Sequence, residues 1–156
     1  MTSLSQFRVT VKPEWLDYNG HMNVAYYVVA FDMATDEFYK ELCIGEAYLG
    51  RGFSVYTLGM NIDYMHELFE GDEAMITTQL LDYDHKRVHY IHQMHHAETG
   101  ALVSVNECLG MNVDLSSKRS AVFPDDVQTG LAKMLARHRA IDPPAQAGRK
   151  LGIRRK

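Results

Sequence analysis

Asp17 and the amides of a helix that begins a few residues later are the groups best placed to do chemistry in this chain. In the stretch Asp17-Tyr18-Asn19-Gly20-His21-Met22-Asn23, Asn19-Gly20 is a turn signal. Asn23 suits an N-cap, because its side-chain oxygen can accept a backbone N–H from the first helical turn. Free N–H groups and the positive end of a helix dipole then face one spot, an arrangement that favours a carbonyl oxygen gaining negative charge. A carboxylate beside such donors can act as a nucleophile or as a general base on water. The competing use of Asp17 is to cap the turn by accepting nearby amides. His21 could be a base in isolation, although a histidine in a tight glycine-containing turn more often braces the loop.

The elements that must hold these groups follow from periodicity. Val24, Tyr27, Val28, Phe31, Ala34, Phe38 and Leu42 recur at three- and four-residue steps, which predicts a helix from Val24 to about Leu42 with one buried face. A short strand over 7–11 precedes it and is ended by Pro13. After a glycine-rich loop over 43–52, four strands are expected over 53–65, 73–83, 86–97 and 101–115. They are joined by the short turns Glu70-Gly71-Asp72, Asp84-His85 and Glu98-Thr99-Gly100, which implies antiparallel neighbours. The last strand is expected to carry Val103, Val105, Leu109, Met111, Val113 and Leu115 on one face. A second helix is expected over 124–138. A strand, a long helix and a run of antiparallel strands predict an α+β fold, a curved sheet wrapped around the helix.

The 156 residues suit one domain, and the 46% apolar and 23% charged content is that of an ordinary globular protein. No apolar run approaches the ~20 residues of a membrane helix, and the N-terminus lacks the basic and apolar parts of a signal peptide. With Cys43 and Cys108 as its cysteines, the chain is expected to be cytoplasmic, its thiols reduced and buried. From residue 137 onward seven cations face only Asp142, a net +6, which leaves −10 on residues 1–136 of a chain whose total is −4. So acidic a body argues against nucleic acid as a partner. The domain is expected to span 1–138, and the basic tail 139–156, with Pro143-Pro144 and no apolar period, to be disordered. The tail could touch RNA, an acidic partner or a phosphorylated ligand, or stay solvated.

His89, His92, His95 and His96 invite a metal-site reading that strand geometry opposes. On a strand, His89 pairs with His95 and His92 with His96, ~20 and ~13 Å apart, too far for one ion bound at ~2 Å. No metal and no cofactor are expected. Glu107 falls in an apolar register, a costly place for a carboxylate, so it either faces a site or is turned to solvent by a bulge. Asp32 and Asp36, at i,i+4 on the helix, are a reserve for the base or a solvated face.

The string Trp15-Leu16-Asp17-Tyr18-Asn19-Gly20-His21-Met22-Asn23, with Tyr27 four residues on, resembles the signature of the hotdog-fold acyl-CoA thioesterases of the 4-hydroxybenzoyl-CoA thioesterase type. The resemblance covers about residues 7–123 and implies the hotdog fold and thioester hydrolysis. It implies that Asp17 is the catalytic carboxylate, that the Val24 N–H polarises the thioester carbonyl, that His21 and Asn23 shape the loop and that Tyr27 packs beneath it. It also implies a homodimer or homotetramer with sites between protomers. Lys12-Pro13-Glu14-Trp15, Asn61-Ile62-Asp63-Tyr64 and Asp84-His85-Lys86-Arg87 look closer to the betainyl-CoA thioesterases of carnitine breakdown. So does the run from Met94-His95-His96 to Glu107. A trimethylammonium group is held by aromatic faces, for which Trp15, Tyr18, Tyr26, Phe53, Tyr56 and Tyr64 are candidates, with Glu107 as a counter-charge; the competing use of these rings is to pack the core and a dimer interface. Coenzyme A phosphates call for cations, for which Arg51, Lys86, Arg87, Lys118 and Arg119 lie in or beside loops. The rival expectations are an acyl-CoA-binding module without turnover and a hotdog dehydratase or hydratase.

Overall fold

The computed structural model describes residues 4–155. The first strand β1 is Ser5–Thr10, followed by a 3-10 turn at Pro13–Trp15, helix α1 (Val24–Lys40) and a short helix α2 (Glu46–Gly50). Strands β2 (Phe53–Tyr64), β3 (Glu73–Tyr83), β4 (Arg87–His96), β5 (Leu102–Asp114) and β6 (Arg119–Ser120) come next, and helix α3 (Asp125–His138) closes the fold. Every long element falls within two residues of its expected range, because glycine, proline or polar turns mark off its apolar residues. The sheet is antiparallel throughout, in the order β1-β3-β4-β5-β2, with β6 beside β5. No helix among the described residues is long and apolar enough to cross a membrane.

Helix α1 lies in the curve of the sheet. Tyr27, Ala30, Phe31 and Ala34 pack on Met22, Leu68, Ile76 and Met94 at one end, and Phe38 and Tyr39 pack on Tyr90, Cys108 and α3 at the other. Sheet and helix approach so closely at Gly110 that a Cβ there would sit 2.9 Å from both Tyr39 Oη and Val55 Cγ1. The inner face of β5 is therefore its polar register, with Cys108 and Gly110 pointing at the helix and Asn112 buried against Tyr48. Glu107 faces outward with Val105, Leu109 and Met111, the opposite of a simple burial rule, whereas Val103, at a register shift between β4 and β5, packs inside against α1.

What covers that outer face is the segment after α3. Gln79 Nε2 donates to the Ile141 carbonyl (2.7 Å), Gly148 N–H donates to Glu107 Oε2 (2.7 Å) and Asn61 Nδ2 donates to the Arg149 carbonyl (2.7 Å). Arg149 also forms a two-pronged ion pair with Asp63, its Nε 2.9 Å from Oδ2. The expectation of a disordered tail from residue 139 therefore does not hold as far as Arg149. The segment crosses from β3 over β4 and β5 to the β2 edge, held by side-chain-to-backbone bonds that leave no periodic trace in sequence.

The core contains a polar seam. His92, fully buried, has Nε2 2.9 Å from Thr35 Oγ1 and Nδ1 2.8 Å from Thr78 Oγ1. Thr35 Oγ1 donates its own proton to the Phe31 carbonyl (3.0 Å), so it must accept from Nε2–H, while Thr78 donates to Nδ1. That assignment requires a neutral ring, in agreement with burial, which pushes the His92 pKa down to about 3.

Candidate active site

The Asp17 loop is a tight hairpin. Leu16 and Met22 form an antiparallel bridge, Asp17 N–H donates to the His21 carbonyl (3.1 Å) and Gly20 N–H donates to the Asp17 carbonyl (3.0 Å). Gly20 turns the chain at φ 81°, a left-handed conformation that a side chain would strain. Met22 N–H to the Leu68 carbonyl (2.7 Å) and Asn23 N–H to the Trp15 carbonyl (2.9 Å) tie the hairpin to the body. The Leu68 anchor was not foreseen, since a backbone acceptor carries no residue-type signal.

At the helix start, Asn23 acts as the expected N-cap, its side-chain oxygen accepting from Ala25 N–H at 2.9 Å. Tyr26 N–H is taken by the Asn23 carbonyl. Among the described residues nothing accepts from the Val24 N–H, and Val24 is 59% exposed. An open donor thus stands at the positive end of a 17-residue helix. Asp17, half-buried, lies one ladder step (about 7 Å) beyond the Trp15–Asn23 pairing that borders it. Its Oδ1 accepts Asn19 N–H at 2.8 Å, and Oδ2 has no partner among the described residues. The turn-capping and chemical uses of Asp17 are therefore compatible, one oxygen for each. His21 is half-buried with Nδ1 3.4 Å from the Met22 carbonyl, the position of a brace within the turn.

Tyr27 is buried and donates to the His66 carbonyl at 3.3 Å, with Tyr64 edge-on to its ring at 5.2 Å. Burial raises the pKa of both phenols, so each stays a neutral donor. Tyr64 Oη donates to the Val24 carbonyl at 3.2 Å, which places this half-exposed ring against the helix start. Trp15 does not offer a free face. It is 6% exposed, stacked on Tyr26 (5.5 Å, 14°) and topped by Lys12 Nζ at 5.4 Å. Tyr18 is fully solvated, Tyr56 projects half-exposed from β2 and Phe53 packs on Tyr48 at the far end of that strand. Within one chain the expected aromatics do not form a cage.

Glu107, which the sequence leaves open between facing a site and being turned to solvent, points away from α1. His89 Nε2 lies 2.7 Å from one of its oxygens, and Gly148 takes the other. Of the expected coenzyme-binding cations, Arg51 is bidentate to Asp126 (2.8 and 2.9 Å) and Arg87 pairs with Asp84 (2.6 Å). Burial works against Asp84, yet Arg87 and the Lys86 and Arg87 amides hold its pKa down to about 2. Lys86 reaches Ser120 at 3.3 Å and so gathers with Lys118 and Arg119 at the Phe53–Asp114 end of the sheet. The ten-residue step from Ser104, opposite Tyr64, to Asp114 puts that cluster about 34 Å from the Val24 end.

Asp17 does not border any of three clefts formed by the described residues. Two, of about 790 and 160 Å³, lie between α1 and β2 and share Asp32, Thr35 and Thr57. Burial and the neighbouring Asp32 raise the pKa of Asp36, which lines the larger. The third, of about 360 Å³, lies by Tyr83, Arg87 and His89. Along the open side of α1 and β2, Val29, Met33, Tyr56, Leu58 and Met60 are exposed.

The model of the thioesterase-like superfamily matches residues 11–131. A betainyl-CoA thioesterase of Pseudomonas aeruginosa is 32% identical over 96% of this chain and 95% of its own. A two-activity protein of Rhizobium meliloti, L-carnitine dehydrogenase/betainyl-CoA thioesterase, is 32% identical over 93% of this chain and 29% of its own. A hypothetical protein of Staphylococcus aureus, solved in complex with CoA, superposes with a TM-score of 0.91 at 29% identity, covering 97% of this chain and 96% of that one.

Proposed function

We propose, from the premise that this chain belongs to the thioesterase-like superfamily and is a hotdog-fold acyl-CoA thioesterase, that Asp17 and the Val24 amide carry its reaction. The observation behind this reading is the unpaired Val24 N–H at the helix start, with the free Asp17 oxygen on the adjoining hairpin. The thioester carbonyl oxygen accepts from Val24 N–H, which draws electrons from the carbonyl carbon. Asp17 either attacks that carbon or removes a proton from an attacking water. Either way one water is consumed, the carbon–sulfur bond breaks, and a carboxylate and the CoA thiol leave. His21, Asn23 and Tyr27 hold the loop.

The missing wall of the site is best supplied by a second copy. Strand β2 is a twelve-residue edge with an apolar row, a surface that ordinarily pairs. Two-fold antiparallel pairing of β2 with itself, centred near Leu58, sets Tyr64 beside Phe53 of the other copy. That brings the Lys86, Lys118 and Arg119 cluster from about 34 Å away to the Val24 end. A homodimer, or a tetramer of such pairs, therefore joins the loop to the cations that coenzyme A needs.

Betainyl-CoA is the leading substrate. It is what the two similar proteins are named for, and Tyr64 and Tyr56 present half-exposed faces to a trimethylammonium group near Val24 and across the β2 edge. The test is thiol release from betainyl-CoA and from 3,3-dimethylbutyryl-CoA, its uncharged isostere. At least tenfold higher kcat/KM for the cationic ester, narrowed by Tyr64→Leu, is expected. Equal rates would remove the betainyl assignment, binding without release would indicate a module, and hydration of an enoyl-CoA would indicate a hydratase.

A further inference from the structure

The basic segment after Arg149 has no place in the chemistry above, yet its root is fixed. Arg149 is clamped by Asp63 and Asn61 on β2, and Gly148 by Glu107 on β5. Asp63 is the neighbour of Tyr64, whose hydroxyl touches the Val24 carbonyl. The covering segment therefore roots residues 150–155 at the same end of the sheet as Asp17 and Val24, on the face turned away from α1, and not at the end where Lys118 and Arg119 lie. Lys150, Arg154 and Arg155 are exposed, and none is ion-paired among the described residues. Six extended residues reach roughly 20 Å from the Arg149 anchor.

The surroundings of that end are acidic on balance, with Glu14, Asp17, Glu67, Glu70 and Asp72 on or beside the loops that hold the helix start and Lys12, over the Trp15 ring, as a cation among them. Within one chain a ligand carrying phosphates would be repelled there unless cations were brought in, and the 150–155 segment is one source of them, in addition to the Lys86, Lys118 and Arg119 cluster proposed to arrive across the β2 edge. On the thioesterase reading of the site, we infer that the 150–155 segment is a phosphate clamp for the nucleotide end of the acyl-CoA bound at its own chain's Val24. Lys150, Arg154 and Arg155 engage the phosphates from a rooted but adaptable strap, while the thioester is handled by α1 and the hairpin. The Arg149–Asp63 pair is the positioning contact, since it decides where the strap begins.

The experiment compares the full chain with Lys150→Gln/Arg154→Gln/Arg155→Gln, which keeps the anchors, and with a chain ending at Arg149. Each is assayed on one acyl group carried by CoA and by N-acetylcysteamine, a thioester without phosphates. About a tenfold rise in KM for the CoA ester is expected. Its dependence on ionic strength should weaken, and kcat/KM for the phosphate-free ester should not change. Equal effects on both esters, or none on either, would overturn the clamp. If the native chain hydrolyses neither ester, the thioesterase reading falls, but calorimetric titration with CoA still decides the clamp. Binding that weakens about tenfold on neutralising the strap supports it. Equal binding by both chains, or no binding by the native one, contradicts it.

Discussion

The two faces of the sheet bury polar groups in different ways. Inside, His92, Thr35 and Thr78 form an uncharged chain of donors and acceptors sealed by Phe31 and Tyr90, with nothing left for solvent to supply. Outside, Glu107, Asp63 and Arg149 are half-buried charged groups, satisfied by one another, by His89 and by a chain segment laid over them. The inner seam is part of the core, and charging it means breaking the core. The outer cluster is a fastening that salt and substitution can loosen while the core stays closed.

The largest expected effect comes from acid on the inner face. Because the folded pKa of His92 is depressed, the unfolded chain binds its proton first, and stability falls as pH drops from about 6.5 toward 3. Over that window the loss from this residue is about 5 kcal/mol. Urea midpoints across it should flatten in His92→Gln relative to native, and parallel slopes would show that His92 is not the source. Next, Thr35→Val leaves Nε2–H without an acceptor and should cost about 1–3 kcal/mol. Thr35→Val/Thr78→Val/His92→Leu, which removes the polar groups together, should cost less than the single change. A triple variant much weaker than Thr35→Val would mean the seam stabilises beyond its own satisfaction. The smallest effect is expected outside. Arg149→Ala should cost about 1 kcal/mol, shrinking at 1 M salt, whereas the inner variants should be indifferent to salt. A salt-independent loss at Arg149 would erase the distinction.

The same contrast explains what could be read from the chain alone. Helices and strands were legible because their periods are clean, and the N-cap at Asn23 because its chemistry is local. The facing of β5 was not legible. Its apolar register is buried by a segment with no period of its own, and its polar register is buried against Tyr48 and Tyr39, so hydrophobicity pointed the wrong way. Glu107 stands out in the sequence as a carboxylate in an apolar register, but its partners, His89 and the Gly148 amide, lie 18 residues before it and 41 after it. The motif around Asp17 was legible as a unit, whereas the Leu68 carbonyl that holds it was not. Trp15 looked available because sequence does not show that Lys12 and Tyr26 occupy its faces.

The central claim is that Asp17 does chemistry through the oxygen its turn leaves free. Asp17→Asn keeps an oxygen for the Asn19 amide, so the loop and the melting temperature should be preserved while acyl-CoA hydrolysis changes. Single-turnover release of the CoA thiol by this variant should be at least about a hundredfold slower than by the native chain, with CoA affinity unaltered. Release within threefold of native, from a variant of unchanged melting temperature, would contradict the account.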